Sequence, residues 1–140
     1  MVYKSNSSEE TIKIGEQFAR EIADNCTGCA VLLYGEMGAG KTHFVKGVAQ
    51  GFGINSHVTS PTFAIVNEYD DKLFHFDLFR IASFDDLYAI GFFDYLNRGV
   101  IVCEWSENIP GLENEFENYY KISLTKTGEN EREIHVTSGA

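Results

Sequence analysis

Residues 31–53, VLLYGEMGAGKTHFVKGVAQGFG, join an apolar run, a glycine-studded turn and a helical pattern that opens on Lys41-Thr42. Within them Gly35, Glu36, Met37, Gly38, Ala39, Gly40, Lys41 and Thr42 satisfy G-x-x-x-x-G-K-[ST] at every fixed position. Such a loop demands a buried strand before it and a helix after it, and both are here. Glycines let successive N–H groups turn inward onto phosphate oxygens. The lysine reaches the β and γ phosphates, the threonine hydroxyl ligates Mg²⁺, and the helix start adds its positive dipole end. Chance would place this pattern in only on the order of 1% of chains this long. The stretch predicts a nucleoside triphosphate site.

The rest of the chain supplies the layers around that loop. Residues 7–24 place Ile14, Phe18 and Ile22 on one helical stripe, and Ser7 with Glu10 reads as a capping box. CAVLLY (29–34) is a short apolar run suited to a strand covered on both faces. The helix from Lys41 fades at Gly51 and Gly53. FAIVNEY and KLFHFDLF flank Asp70-Asp71 as a hairpin, SFDDLYAI reads as a helix ending at Gly91, and GFFDYL as a short helical piece. GVIVCEW (99–105) is a second buried-type strand, and YYKISLTKT with REIHVTS forms a terminal hairpin. Helices interleave with apolar strands. This predicts one α/β domain over 1–140, a three-layer P-loop NTPase fold with a mostly parallel central sheet and antiparallel hairpin additions.

Composition narrows what such a domain can do. The chain carries 21 acidic against 11 basic residues, a net charge of −10. A broad phosphate-backbone footprint needs clustered Lys and Arg, so any nucleic-acid role is expected to run through another protein. No apolar segment approaches a membrane span, and MVYKSNSSEETIK lacks a hydrophobic signal region, which predicts the cytoplasm and no membrane partner. Cys26 and Cys29 form a C-x-x-C that follows a helix and precedes a strand, the reverse of a thioredoxin-type site. With no second pair to complete a zinc set, they read as incidental loop cysteines.

A phosphate loop needs a carboxylate near Mg²⁺, usually at the end of an apolar strand. Asp77 after LFHF and Glu104 after VIVC both qualify: either could ligate the metal while the other orients the attacking water. In VTSPTFAIVNEY (58–69), Ser60 and Thr62 flank Pro61, where their hydroxyls suit either γ-phosphate sensing or a plain turn. Arg80 could counter transition-state charge, whereas Arg98 reads as a partner of the acidic surface. His43, His57, His75 and His135 show no ligand spacing and read as structural or surface residues. Trp105 either lies in the core or sits beside the nucleotide. TKTG (125–128) lacks the aspartate of a guanine-reading element, which disfavours GTP. Arg20, Arg80, Arg98 and Arg132 are not clustered, so an arginine-rich kinase lid is disfavoured.

GEMGAGKT, SPTFAIVNEY, HFDLFR, DLYAIGFFDYL and VCEW, in this order and at these separations, resemble the bacterial TsaE (YjeE) family over roughly residues 10–136. The resemblance implies an ATPase required for N6-threonylcarbamoyladenosine at position 37 of tRNA. It implies a TsaB–TsaD heterodimer as partner, tRNA met only through that complex, and feeble hydrolysis in isolation. It carries phosphate binding to Gly35–Lys41, Mg²⁺ to Thr42 and Glu104, and a switch role to Thr62. Asp77 and Glu104 become an acidic pair, and Trp105 joins the nucleotide cluster. Met37 stands where leucine is usual, Phe79 where tyrosine is, and Ser106 where proline often follows. The alternative is a P-loop phosphotransferase acting on a small molecule or protein.

Overall fold

The apolar runs become strands of one seven-stranded sheet, seen in a computed structural model that describes residues 1–23, 28–36, 38–54, 58 and 65–139. The strands are β1 (Val2–Ser5), β2 (Ala30–Tyr34), β3 (Val66–Tyr69), β4 (Leu73–Asp77), β5 (Val100–Glu104), β6 (Tyr119–Lys126) and β7 (Arg132–Gly139). Their order is β1-β7-β6-β2-β5-β4-β3. The central β6, β2, β5 and β4 run parallel, β3 and β7 pair antiparallel beside them, and β1 pairs antiparallel with β7. Both expected hairpins are present, as β3–β4 and β6–β7. Strand β1 had no sequence signal: its four residues bury only Ser5 and show no apolar alternation. It forms because β7 offers an unpaired edge, with Val2 opposite His135 and Ser5 opposite Arg132.

Side-chain alternation splits the core in two. Val31, Leu33 and Val102 join one apolar cluster with α1 (Ser8–Ile22) and α2 (Lys41–Gly51). Ala30, Leu32, Phe74, Phe76, Ile101 and Cys103 join the other, under α3 (Phe84–Ala89) and the 3-10 turn Phe92–Tyr95. Burying a side chain such as Phe44 or Phe76 contributes about 2 kcal/mol. The caps follow the sequence signals. Ser7 Oγ accepts the Glu10 N–H at 3.1 Å, and Glu10 Oε2 accepts the Asn6 N–H at 3.0 Å. Ser83 caps α3 in the same way through the Asp86 N–H.

The α1–α2 pair meets backbone to backbone. A Cβ on Gly47 would run into the Ile12 carbonyl oxygen, and one on Gly15 into that of Phe44. This seating brings the start of α1 beside the phosphate loop. Gly47→Ala is expected to lower stability by about 2 kcal/mol, because overpacking outweighs the gain in helix propensity. A urea denaturation midpoint equal to that of the parent would contradict this close approach.

Cys29 is disulfide-bonded; Cys26, the other member of the C-x-x-C, lies outside the described residues. Cys103 is a fully buried thiol, its pKa pushed well up by desolvation. No helix among the described residues is long and apolar enough to cross a membrane.

Candidate functional site

Strand β2, buried on both faces, delivers the chain into the loop at Gly35. Gly35 has φ +150°, and a Cβ there would press on the Leu124 carbonyl of β6, so only glycine fits. Gly40 stands at the N-cap of α2 with φ 96° and makes no side-chain cap. The contrast with α1 and α3 is informative. Those helices use serine hydroxyls at their N-termini, whereas α2 opens on glycine with no acid in its first turn. A helix start of that kind suits an anionic ligand.

Beside it lies a cavity of about 460 Å³. Gly38, Gly40, Lys41 and Thr42 form one wall, and Asp77, Glu104 and Trp105 another. Ser7, Ser8 and Thr11 from the start of α1, together with His43, Asn130 and Arg132, complete it. Asp77 and Glu104 are opposed in register at the carboxyl ends of parallel strands, where α/β sheets open their ligand crevices.

Lys41 is buried, donates from Nζ to the Gly35 carbonyl, and lies 3.5 Å from the centroid of the Trp105 ring. Desolvation lowers its pKa below the usual lysine value, opposed by the nearby carboxylates of Glu107, Glu104 and Asp77. Trp105 can reach over the lysine because it adopts φ 61°, turning the chain sharply after β5.

The turn that follows braces the site. Glu107 Oε2 accepts the Gly35 N–H at 3.0 Å, and Ser106 Oγ donates to the Cys103 carbonyl at 3.0 Å. Asn108 Nδ2 donates to the Leu78 and Phe79 carbonyls at 2.9 and 3.1 Å. Phe79, half exposed, meets the Trp105 ring at 4.9 Å. Residues 105–108 thus tie the phosphate loop to the segment after β4. Ser106, noted in the sequence as a departure, makes a well-formed bond there.

Most residues singled out from the sequence therefore converge. Gly38, Gly40, Lys41, Thr42, Asp77, Glu104 and Trp105 line the cavity. Gly35, Glu36 and Ala39 shape the loop behind it, with the Ala39 N–H bonded to the Glu36 carbonyl at 3.1 Å. Met37 and Thr62 lie outside the described residues.

Arg80 is exposed and does not line the cavity, and Arg98 sits 3.7 Å from Glu68 and 3.8 Å from Asp71, as a surface partner should. The arginine that reaches the loop is Arg132, whose guanidinium donates to the Gly38 carbonyl at 2.9 Å. Nothing local in EREIHV announces that contact, because pairing between β6 and β7 delivers it. His75 is a second residue that sequence reading set aside. It lies fully buried with Nε2 2.5 Å from Glu104 Oε2. Its position two residues before Asp77, on the same strand face, was the available signal.

The profile of the family described as "Threonylcarbamoyl adenosine biosynthesis protein TsaE" matches residues 5–134. The chain belongs to the TsaE family. The "tRNA threonylcarbamoyladenosine biosynthesis protein TsaE" of Treponema pallidum is 37% identical over 135 residues, covering 94% of this chain and 96% of that one. Its namesake in Bacillus subtilis is 38% identical over 115 residues, 79% of this chain and 70% of that one. Among solved structures, Bacillus subtilis YdiB superposes with a TM-score of 0.68 at 30% identity, covering 99% of this chain and 84% of that one. The chain thus has a P-loop NTPase fold and belongs to a family involved in tRNA threonylcarbamoyladenosine biosynthesis.

Proposed function

We propose that this protein is a cytoplasmic ATPase, dependent on Mg²⁺, that serves tRNA threonylcarbamoyladenosine formation through a TsaB–TsaD heterodimer and does not itself transfer the group. The observation that carries the reading is one cavity lined by Gly38, Gly40, Lys41 and Thr42 together with Asp77 and Glu104. The donors suit Mg²⁺. Thr42, Asp77 and Glu104 supply hard oxygens, while no group of three His, Cys, Asp or Glu among the described residues makes a full cage. A site that leaves coordination to phosphate and water is the kind Mg²⁺ takes. Thr42 and Glu104 would hold it, and when bound it would neutralise charge on the β and γ phosphate oxygens.

The chain's own groups do the rest. Lys41 leaves the Gly35 carbonyl and the Trp105 ring for the phosphates. The start of α2 directs its N–H groups at the same anion, and Asp77 orients the attacking water. Thr62 acts from the switch segment near the γ-phosphate. The acidic surface fits a protein that meets tRNA only through its partners.

The test is phosphate release by the purified protein, alone and with TsaB, TsaD and tRNA. A several-fold stimulation by the heterodimer is expected. No stimulation, together with unchanged tRNA modification in cells lacking the protein, would sink the proposal.

A further inference from the structure

We propose that His75 is a positioning residue for Glu104: it holds one carboxylate oxygen against β4 and leaves the other for the metal. This rests on the reading that Glu104 meets Mg²⁺ at a bound triphosphate.

The first support is placement. His75 lies on β4 opposite Val102, and Asp77 lies opposite Glu104, so the histidine sits one side-chain step beneath the acidic pair on the same sheet face. The imidazole is 0% exposed and Glu104 is 4% exposed, and their bond joins adjacent strands. Leu73, two residues before His75 on the same face, is fully buried in the apolar cluster and shows what a residue needed only for packing looks like there.

The second support is hydrogen-bond bookkeeping. Nε2 reaches Glu104, but the buried Nδ1 has no hydrogen-bond partner among the described residues. A carboxylate can only accept, so donation to Glu104 requires a proton on Nε2. An unsatisfied buried polar atom costs about 1–3 kcal/mol. A packing role gives no reason for an imidazole with that defect, whereas holding Glu104 does.

The third support is what the carboxylate would otherwise meet. Lys41 lines the same cavity and feels the charge of Glu104. A glutamate with three free torsions would be drawn onto that ammonium, tying up the two groups a Mg²⁺–triphosphate requires. The bond to His75 holds the carboxylate back, while Lys41 rests on the Gly35 carbonyl and the Trp105 ring. Partners that orient a ligating carboxylate are typically worth 10–100-fold in metal affinity or activity.

The experiment compares His75→Phe, which fills the space without a donor, with His75→Gln, whose amide places an N–H near the Nε2 position. Binding of a fluorescent ATP analogue is titrated with Mg²⁺, repeated in EDTA, and turnover is measured beside it. We expect His75→Phe to raise half-saturating Mg²⁺ and lower turnover by about tenfold each, with metal-free affinity preserved and His75→Gln recovering most of the loss. Independently, ring-nitrogen NMR of the parent should place the proton on Nε2, with a signal that shifts in Glu104→Gln.

A folded His75→Phe protein with parental Mg²⁺ dependence would overturn the role of His75 and leave the nucleotide reading intact. Should His75→Phe fail to fold, a ring proton found on Nδ1, or a His75→Gln protein no better than Glu104→Gln, would overturn it equally. A parent protein that binds no Mg²⁺–ATP would overturn the nucleotide reading and this inference together.

Discussion

Lys41→Ala is expected to weaken ATP binding about 100-fold, since hydrogen bonds to a charged partner contribute about 1.5–3 kcal/mol each and the lysine also supplies a full charge. Calorimetry or a fluorescent analogue would measure it. The ammonium is buried between the Gly35 carbonyl and the Trp105 ring, so truncation also leaves a gap beneath the indole. A thermal melt without nucleotide separates that structural cost from the binding loss. Burial lowers the pKa of Lys41, so its charge is lost at lower pH than an exposed lysine's. The protonated form is the one that grips phosphate. ATP affinity should therefore decline earlier on the alkaline side than an ordinary lysine would allow. Unchanged affinity in a folded Lys41→Ala protein would contradict the phosphate-loop assignment.

Glu104→Gln is expected to fold normally and bind ATP in EDTA within about twofold of the parent, while Mg²⁺-dependent hydrolysis falls about 100- to 1,000-fold. The amide keeps the size of the side chain and an oxygen that can still accept from His75 Nε2, so strands β4 and β5 stay tied. What disappears is the negative charge at the end of β5. Asp77 remains beside it in register and offers an internal check. Asp77→Asn removes the second acid while disturbing only an exposed bond, in which its Oδ1 accepts the Phe79 N–H at 3.0 Å. Full turnover in a folded Glu104→Gln protein would shift the metal role to Asp77.

The two substitutions probe different kinds of information. Lys41 was legible because the phosphate loop is a local device: its spacing, its glycines and its flanking strand and helix lie within about two dozen consecutive residues. The serine cap at Ser7 was legible for the same reason, since its bond spans three residues. Asp77 and Glu104 were visible as acids ending apolar runs, but their side-by-side register was not. Strand β1 escaped notice because its partner lies at the other end of the chain.

Sequence by itself determined the phosphate-loop motif, the order of the elements from α1 to β7 and the family, because backbone preferences and glycine geometry act over a few residues. Tertiary structure decided what stands around that site. Arg132 reaches the Gly38 carbonyl across a separation of 94 residues, Glu107 reaches the Gly35 N–H across 72, and His75 reaches Glu104 across 29. Such contacts follow from strand pairing and from the Trp105 turn, and no local pattern records them. The phosphate-loop motif is written in consecutive residues; the bonds that hold its surroundings in place exist only once the sheet has assembled.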